Sequence, residues 1–286
     1  MMGTLRIAAA RGLIVALTFG MAWGLAAPVE AQSPTLSVVG RDTTKTYTQQ
    51  ALLAHPAARN ITVADRVYRR PMTYRAVPMA ALLADAKIGA DDYVQARGTD
   101  NFSISIPGRL FVFDNAAQVE AFLAVEDPAA PWPAIPGKPD KRSTGPFYIV
   151  WRLTPPATVS SEYWAYRVAA LVVTDSPAKR WPGLAVGADV PAGDPTHAGL
   201  DRFVALCMAC HRFNGEGEGD QGPDLARPMN PIDYLQLPAL KKMIRNPTLL
   251  RKWPDQKMPG FDETILSNSD LDAIVAWLSY KARQQR

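Results

Sequence analysis

The pattern of apolar and polar residues divides the chain into two parts of different character. In residues 34–180, short runs of β-branched and aromatic residues are typical of strands. The predicted strands are Thr35–Val39, Ile61–Ala64, Tyr93–Ala96, Phe102–Ile106, Phe147–Arg152 and Tyr163–Thr174. Short helices are predicted at Thr48–Ala54, Met79–Ala86 and Ala116–Leu123. This part is therefore predicted to be an α+β or mainly β domain.

The last part of the chain has the periodicity of amphipathic helices instead. Asp194-Pro195-Thr196 can begin a helix in which Gly199, Phe203 and Leu206 share one face. A second helix is predicted at Ser269-Asp270-Leu271-Asp272, which resembles a capping box. The apolar residues of this helix recur at i, i+3, i+4 and i+7, namely Leu271, Ile274, Val275 and Leu278. The C-terminal part is predicted to be an all-α domain bracketed by these two helices.

The length and the prolines suggest two domains joined by a linker. A chain of 286 residues is long enough for two domains. Its 25 prolines cluster at 128–156, 177–195 and 223–259, which indicates extended, loop-rich segments. Within the proline-rich stretch Ser176–Asp194 we place the linker at 181–195, between an N-terminal domain at 32–180 and a C-terminal domain at 196–286.

The N-terminus has the features of an export signal. Arg6 and Arg11 precede the uncharged apolar run Gly12–Ala27, and Val29-Glu30-Ala31 offers small residues at a cleavage site. Residues 1–31 are therefore predicted to be a cleaved signal peptide, with an uncleaved anchor as the alternative. The mature protein is expected to be periplasmic or otherwise exported, with no stable membrane span after cleavage.

Charge and cysteine content narrow the classes of function. The formal net charge is only +4, without the dense Lys/Arg blocks of nucleic-acid-binding proteins, so no nucleic-acid partner is predicted. An exported protein stabilised by disulfides would pair several cysteines. This chain has only two, Cys207 and Cys210, and both lie in one motif. With three histidines in the whole chain, a separate histidine-and-carboxylate metal site is not predicted.

The motif Cys-Met-Ala-Cys-His at residues 207–211 is the C-x-x-C-H signature of c-type haem attachment. Two thiols on one turn can reach the two vinyl groups of a porphyrin, and the adjacent His211 then projects under the iron. A redox disulfide or half of a zinc site are the alternatives. A following histidine and an export signal favour one covalently bound haem.

Residues 196–286 resemble a class I cytochrome c. In that family a small residue on the first helix meets an aromatic residue on the last, and Gly199, Phe203 and Trp277 are placed for this contact. The family's Gly-Pro-x-Leu is matched by Gly222-Pro223-Asp224-Leu225. The resemblance implies that the Pro223 carbonyl accepts a hydrogen bond from the proximal imidazole and fixes its orientation.

The same resemblance implies that Met258, in Lys257-Met258-Pro259-Gly260-Phe261, is the sixth iron ligand. Met229 stays an alternative ligand, and Met208 and Met243 are weaker candidates. His55 and His197 are more often ordinary surface histidines. Methionine and histidine ligation leaves no open coordination position, so one-electron transfer is predicted rather than catalysis at the iron. Six basic residues could form a rim that steers an acidic redox partner, or they could simply form a solvated helix face. They are Lys241, Lys242, Arg245, Arg251, Lys252 and Lys257.

The N-terminal part resembles the molybdopterin-binding domain of the sulfite oxidase family, by the order of four segments. They are Lys45–Leu53, Tyr74-Arg75-Ala76-Val77-Pro78 with Ala81-Leu82-Leu83, Arg97–Ser103, and Gly145–Trp151. That family ligates molybdenum with a cysteine thiolate, whereas residues 32–206 contain no cysteine. A pterin could still be held, its phosphate contacted by Arg97, Lys138, Lys141 or Arg142. Asp100 and Asn101 are candidate site residues or, more commonly, turn formers.

Two functions from different classes follow. The first is an exported monohaem c-type cytochrome whose N-terminal domain docks a redox partner, namely a dehydrogenase, an oxidase or another cytochrome. The alternative is a two-cofactor oxidoreductase in which the N-terminal domain binds a molybdopterin-type cofactor and passes electrons to the haem.

Overall fold

Two sheets form the N-terminal part of the protein, in a computed structural model that describes residues 33–112 and 118–285. The first sheet has the strand order β2 (Thr44–Thr48), β1 (Thr35–Val39), β9 (Val168–Thr174), β5 (Tyr93–Gly98) and β6 (Ser103–Pro107). The second has the order β3 (Arg59–Asp65), β4 (Arg70–Pro78), β7 (Val119–Val125) and β8 (Phe147–Leu153). β1 and β9 pair in parallel, and the other pairs are antiparallel. The predicted signal peptide lies outside the described residues.

Apolar side chains from the strands form one core that includes residues of both sheets. In β3 the buried residues alternate with exposed ones, as expected for a strand with one face toward the core. β8 is buried at five successive positions, Phe147 to Trp151, so both of its faces are covered. Four short helices accompany the sheets: α1 (Gln49–Leu53), α2 (Met79–Leu82), α3 (Arg109–Val112) and α4 (Pro177–Arg180).

The helix predicted at Ala116–Leu123 is wrong. Residues 119–123 of this range belong to β7, which pairs with β4 on one side and β8 on the other. Residues 121–125 are all buried, so the run has no alternation that would mark it as a strand. Its Glu, Ala and Leu residues favour a helix, but burial between two strands overrides that weak preference. The strand predicted at Tyr163–Thr174 also begins later, at Val168.

The C-terminal part is helical, as predicted. It contains α5 (Pro195–Leu206), α6 (Pro231–Tyr234), α7 (Leu237–Arg245) and α8 (Asn268–Gln284). Asp194 caps α5, because its carboxylate accepts a hydrogen bond from the Thr196 amide at 2.8 Å. The cap of α8 is Ser267 and not Ser269: the Ser267 hydroxyl accepts from the Asp270 amide at 3.1 Å. Ser267 and Asp270 have the spacing of a capping box, two residues before the predicted one.

The crossing of α5 and α8 depends on Gly199. A Cβ added at this position would lie 2.0 Å from the carbonyl oxygen of Ala273, so the two helix backbones can approach this closely only at a glycine. Beside it, Phe203 stacks on Trp277 with ring centroids 4.5 Å apart. Both rings are fully buried. The helix-to-helix contact predicted for these three residues is present.

The predicted linker lies against α8. The Leu184 side chain is fully buried, and its carbonyl accepts a hydrogen bond from the Trp277 indole at 3.2 Å. Lys281 donates to the Ala185 carbonyl at 2.5 Å, and the Gly187 amide donates to the Tyr280 hydroxyl at 2.9 Å. Within the described ranges, no helix has the length and apolar character needed to cross a membrane.

Candidate functional site

The two cysteines lie on the turn that ends α5. Cys207 is the C-cap, and its amide donates to the Phe203 carbonyl at 2.8 Å. The Cys207 carbonyl then accepts from the amides of Cys210, at 3.0 Å, and His211, at 2.8 Å. One turn therefore holds both thiols and the imidazole, and both cysteines are free rather than paired with each other. This is the compact arrangement that attachment of one planar group at two points requires.

The electrostatic setting of the thiols disfavours a redox use of the C-x-x-C motif. Burial raises the pKa of the Cys207 thiol to about 12, and the nearby Glu162 carboxylate adds to the shift. Burial also raises the pKa of Cys210. Reactive redox cysteines work as thiolates and have depressed pKa values. No cluster of three or more metal-binding side chains occurs among the residues that the structure describes.

The His211 side chain is oriented by a backbone carbonyl. Its Nδ1 lies 2.7 Å from the carbonyl oxygen of Pro223, and with the proton on Nδ1 this is a hydrogen bond that leaves Nε2 free to ligate. Burial lowers the pKa of His211, although the Pro223 hydrogen bond acts in the opposite direction. A lowered pKa favours the neutral imidazole, which is the form that binds a metal.

The segment Gly217–Pro223, which we call the strap, packs against the cysteine motif. The Gly219 amide donates to the Met208 carbonyl at 2.9 Å, and the Gly222 amide donates to the Cys210 carbonyl at 2.9 Å. A Cβ at Gly222 would lie 2.5 Å from Cε1 of His211, and one at Gly219 would lie 2.4 Å from the backbone of Cys210. The glycines thus let the strap lie directly on the motif and restrict the imidazole ring.

The loop that carries Met258 is fixed from α7. Arg245 donates to the carbonyls of Phe261, at 2.9 Å, and Leu266, and also to the side chain of Asn268 at 2.7 Å. Arg245 therefore holds this loop, and Lys241 forms an exposed ion pair with Asp272, so these two members of the predicted basic rim also have partners within the C-terminal part. Met258 and Cys207 both border the apolar core of the C-terminal part. Of the competing methionines, Met208 is fully buried and Met229 is 50% exposed.

The N-terminal part contacts the cysteine motif directly. The Ser160 hydroxyl donates to the Ala205 carbonyl of α5 at 2.6 Å, and Ala205 and Ala209 belong to the core of the sheets. Two residues after Ser160, burial raises the pKa of the Glu162 carboxyl. The Met258 loop and the N-terminal part also share a cleft of about 540 Å³, with Glu162 and Phe261 in its wall.

The residues proposed for a pterin phosphate either interact with neighbouring side chains or are exposed. Arg97 donates to the Gln95 side chain at 2.8 Å, and Arg142 pairs with Asp140 at 2.8 Å. Asp100 accepts from the Phe102 amide at 3.3 Å, and Asn101 has a φ of 65°. These are the properties of turn formers. Lys138 and Lys141 are exposed.

The family model described as Cytochrome c matches residues 198–281. These residues form a cytochrome c domain. The matched range contains the cysteine motif, the strap and the Met258 loop, so the site described above lies within the domain. No curated protein matches the chain. The matched family supports a covalently bound haem c and haem-based electron transfer. The N-terminal part is a mixed-sheet domain, and its resemblance to the sulfite oxidase family stays a prediction.

Side chains of the N-terminal domain that contact α5 or the strap were not predicted. Ser160, Glu162, Arg180 and Gln95 carry no motif, and the groups they approach lie far away in sequence. The proline-rich composition after Arg180 predicted a linker, although Arg180 itself contacts the strap. The sequence has no local signal that would have identified them.

Proposed function

We propose that the protein is an exported monohaem c-type cytochrome that transfers single electrons. Cys207 and Cys210 attach the haem, and His211 and Met258 ligate its iron. The observation that carries the proposal is the turn at residues 207–211, with His211 hydrogen-bonded to Pro223, inside a range that matches the cytochrome c family.

The residues of the site fit a covalently bound haem. The two cysteines lie on a single turn, the neutral imidazole is held by Pro223, and Gly219 and Gly222 are needed to keep the strap close. When bound, haem supplies a one-electron Fe(III)/Fe(II) couple. Met258 would close the sixth coordination position, and a thioether there favours the reduced iron. The chain's own residues therefore attach, orient and shield the group, which suits electron transfer.

An exposed apolar surface on the cytochrome c domain supports docking of a redox partner. All the large apolar side chains that are markedly exposed in the described residues lie between 229 and 253: Met229, Tyr234, Leu237, Leu249, Leu250 and Trp253. Lys242, Arg251 and Lys252 lie in the same stretch, and the structure shows no ion pair for them with a described residue. An apolar surface with positive charge suits a partner whose own surface is acidic. A dehydrogenase, an oxidase or another cytochrome remain the predicted partners.

The alternative is a two-cofactor oxidoreductase, and the close packing of the N-terminal domain on the haem motif favours it. A short path between two cofactors would be useful only if the N-terminal domain holds one. The absence of a cysteine in residues 32–206 weighs against molybdenum of the usual kind. We therefore place the one-cofactor function first, with the N-terminal domain packed against the haem site and the partner docking at the exposed apolar residues of the cytochrome c domain.

The iron and molybdenum content of protein purified from its native exported compartment tests both functions. We expect about one iron per chain and no molybdenum, because the chain has one C-x-x-C-H motif and residues 32–206 contain no cysteine to ligate molybdenum. Elemental analysis by mass spectrometry measures both metals in one sample. Molybdenum near one per chain would establish the two-cofactor oxidoreductase, and iron near zero would exclude the proposed function.

Replacing Met258 should change the iron centre without removing the haem. In Met258→Ala the thioether is lost, so we expect a lower reduction potential or a coordination position that is open to added imidazole or cyanide. Spectroelectrochemistry and ligand titration measure these changes. Met243→Leu, on α7, is the matched control and should behave as the wild type. An unchanged potential and spectrum in Met258→Ala would move the ligand elsewhere, with Met229 as the next candidate.

A further inference from the structure

The strap is anchored to the N-terminal domain through one buried carboxylate, that of Glu218. Its side chain is only 1% exposed. Oε1 accepts three hydrogen bonds from that domain: from Ser105 Oγ at 2.6 Å, from Gln95 Nε2 at 2.8 Å and from Arg180 Nη1 at 3.1 Å. Gln95 and Ser105 lie on neighbouring strands, β5 and β6, and the Arg180 guanidinium stacks on Trp181 with 4.0 Å to the ring centroid. The anchor is therefore held from rigid elements.

This carboxylate is poorly suited to a role in stability alone. Buried ion pairs lose much of their Coulomb attraction to desolvation, and replacing them with apolar residues is often neutral or stabilising. Moreover, Glu218 Oε2 is buried and makes no hydrogen bond with a described residue, which adds a further cost. What the arrangement does provide is a fixed position for one point of the strap.

The backbone that follows Glu218 contacts the cysteine motif and His211 within five residues. Gly219, next to Glu218, is hydrogen-bonded to Met208 and lies on the backbone of Cys210. Gly222 lies against the His211 ring, and the Pro223 carbonyl accepts its hydrogen bond. Because each of these contacts is close, a displacement of Glu218 is transmitted to the orientation of the imidazole.

We propose that Glu218 is a positioning residue through which the N-terminal domain fixes the orientation of the haem ligand His211. The inference rests on the proposed haem attachment and adds a role for the N-terminal domain within the same site. Orientation of an axial imidazole and its hydrogen bond tune both the potential and the electronic structure of the iron. The N-terminal domain is thus part of the haem site without itself touching the iron.

The test uses the full-length holoprotein with Glu218→Ala, Glu218→Gln and, as the matched control, Asp220→Ala. Asp220 is an exposed carboxylate on the same strap. We expect Glu218→Ala to shift the reduction potential and the g values of the ferric EPR spectrum. Glu218→Gln should recover most of both values, because its amide oxygen can accept from the same three donors. Asp220→Ala should match the wild type.

Wild-type potential and g values in Glu218→Ala would overturn the inference, whereas a change in thermal stability alone would show a purely structural role and also overturn it. If Glu218→Ala does not yield folded protein, Ser105→Ala removes one of the three donors and decides the question by the same two readouts. The proposed function fails separately: it fails if the wild type itself lacks the haemochrome spectrum of covalent haem.

Discussion

The double variant Cys207→Ala, Cys210→Ala should lose covalently bound haem completely. The two thiols lie on the single turn that ends α5, and they are the only cysteines in the chain, so no other residue can form a thioether to the porphyrin. Haem staining after denaturing electrophoresis, together with the pyridine haemochrome spectrum, measures the loss.

His211→Ala should likewise prevent assembly of a normal haem site, since the iron would lose its proximal ligand. His197→Ala is the matched control, because His197 lies at the start of α5 and its ring is hydrogen-bonded to the Val190 carbonyl, at 3.3 Å, and not to the cysteine motif. The control should stain and absorb as the wild type does. Haem that survives denaturation in the double cysteine variant would contradict the assignment of the motif.

Gly199→Ala should strongly destabilise the cytochrome c domain. The added methyl group would lie 2.0 Å from the Ala273 carbonyl oxygen and 2.8 Å from Cβ of Trp277, so α5 and α8 would have to separate. Because this contact is with backbone, no side-chain rotation relieves it. We expect a loss of about 3 kcal/mol in the free energy of unfolding, the upper part of the usual range for overpacking. Denaturant titration followed by circular dichroism measures it.

Gly193→Ala is the control for this experiment, since a Cβ at Gly193 would have no atom of a described residue within 4 Å. The control should leave the denaturation midpoint close to that of the wild type. Equal midpoints for the two alanine variants would mean that the helices do not cross at Gly199.

The sequence predicts best where the structure is governed by local rules. The periodicity of α5 and α8, the cap at Asp194 and the turn of residues 207–211 all depend on neighbours within a few positions, and each was predicted. Six of the strands were predicted in whole or in part for the same reason. The contact between Gly199 and Trp277 was available only through the family resemblance, because the two residues are far apart in the chain.

Errors occurred where tertiary contacts override local preference. β7 was predicted as a helix because a strand buried on both faces shows no alternation, and β4 was not predicted as a strand. Glu218 lies 113 residues from Ser105 and 123 from Gln95, so its hydrogen bonds leave no trace in local composition. The roles of Arg245 and Lys241 also depend on such distant partners.

Ala205 lies in α5 and Ala209 in the cysteine motif, yet both are buried in the core of the N-terminal sheets. A domain boundary drawn at residue 195 therefore cuts through a shared apolar core, although it follows the change in secondary structure. An expression fragment that starts there would present both alanines and the Glu218 carboxylate to water. For experiments on this protein, the smallest unit that keeps its native surface intact begins with the first strand, and fragments that start at boundaries chosen from the sequence would expose surfaces that are buried in the full chain.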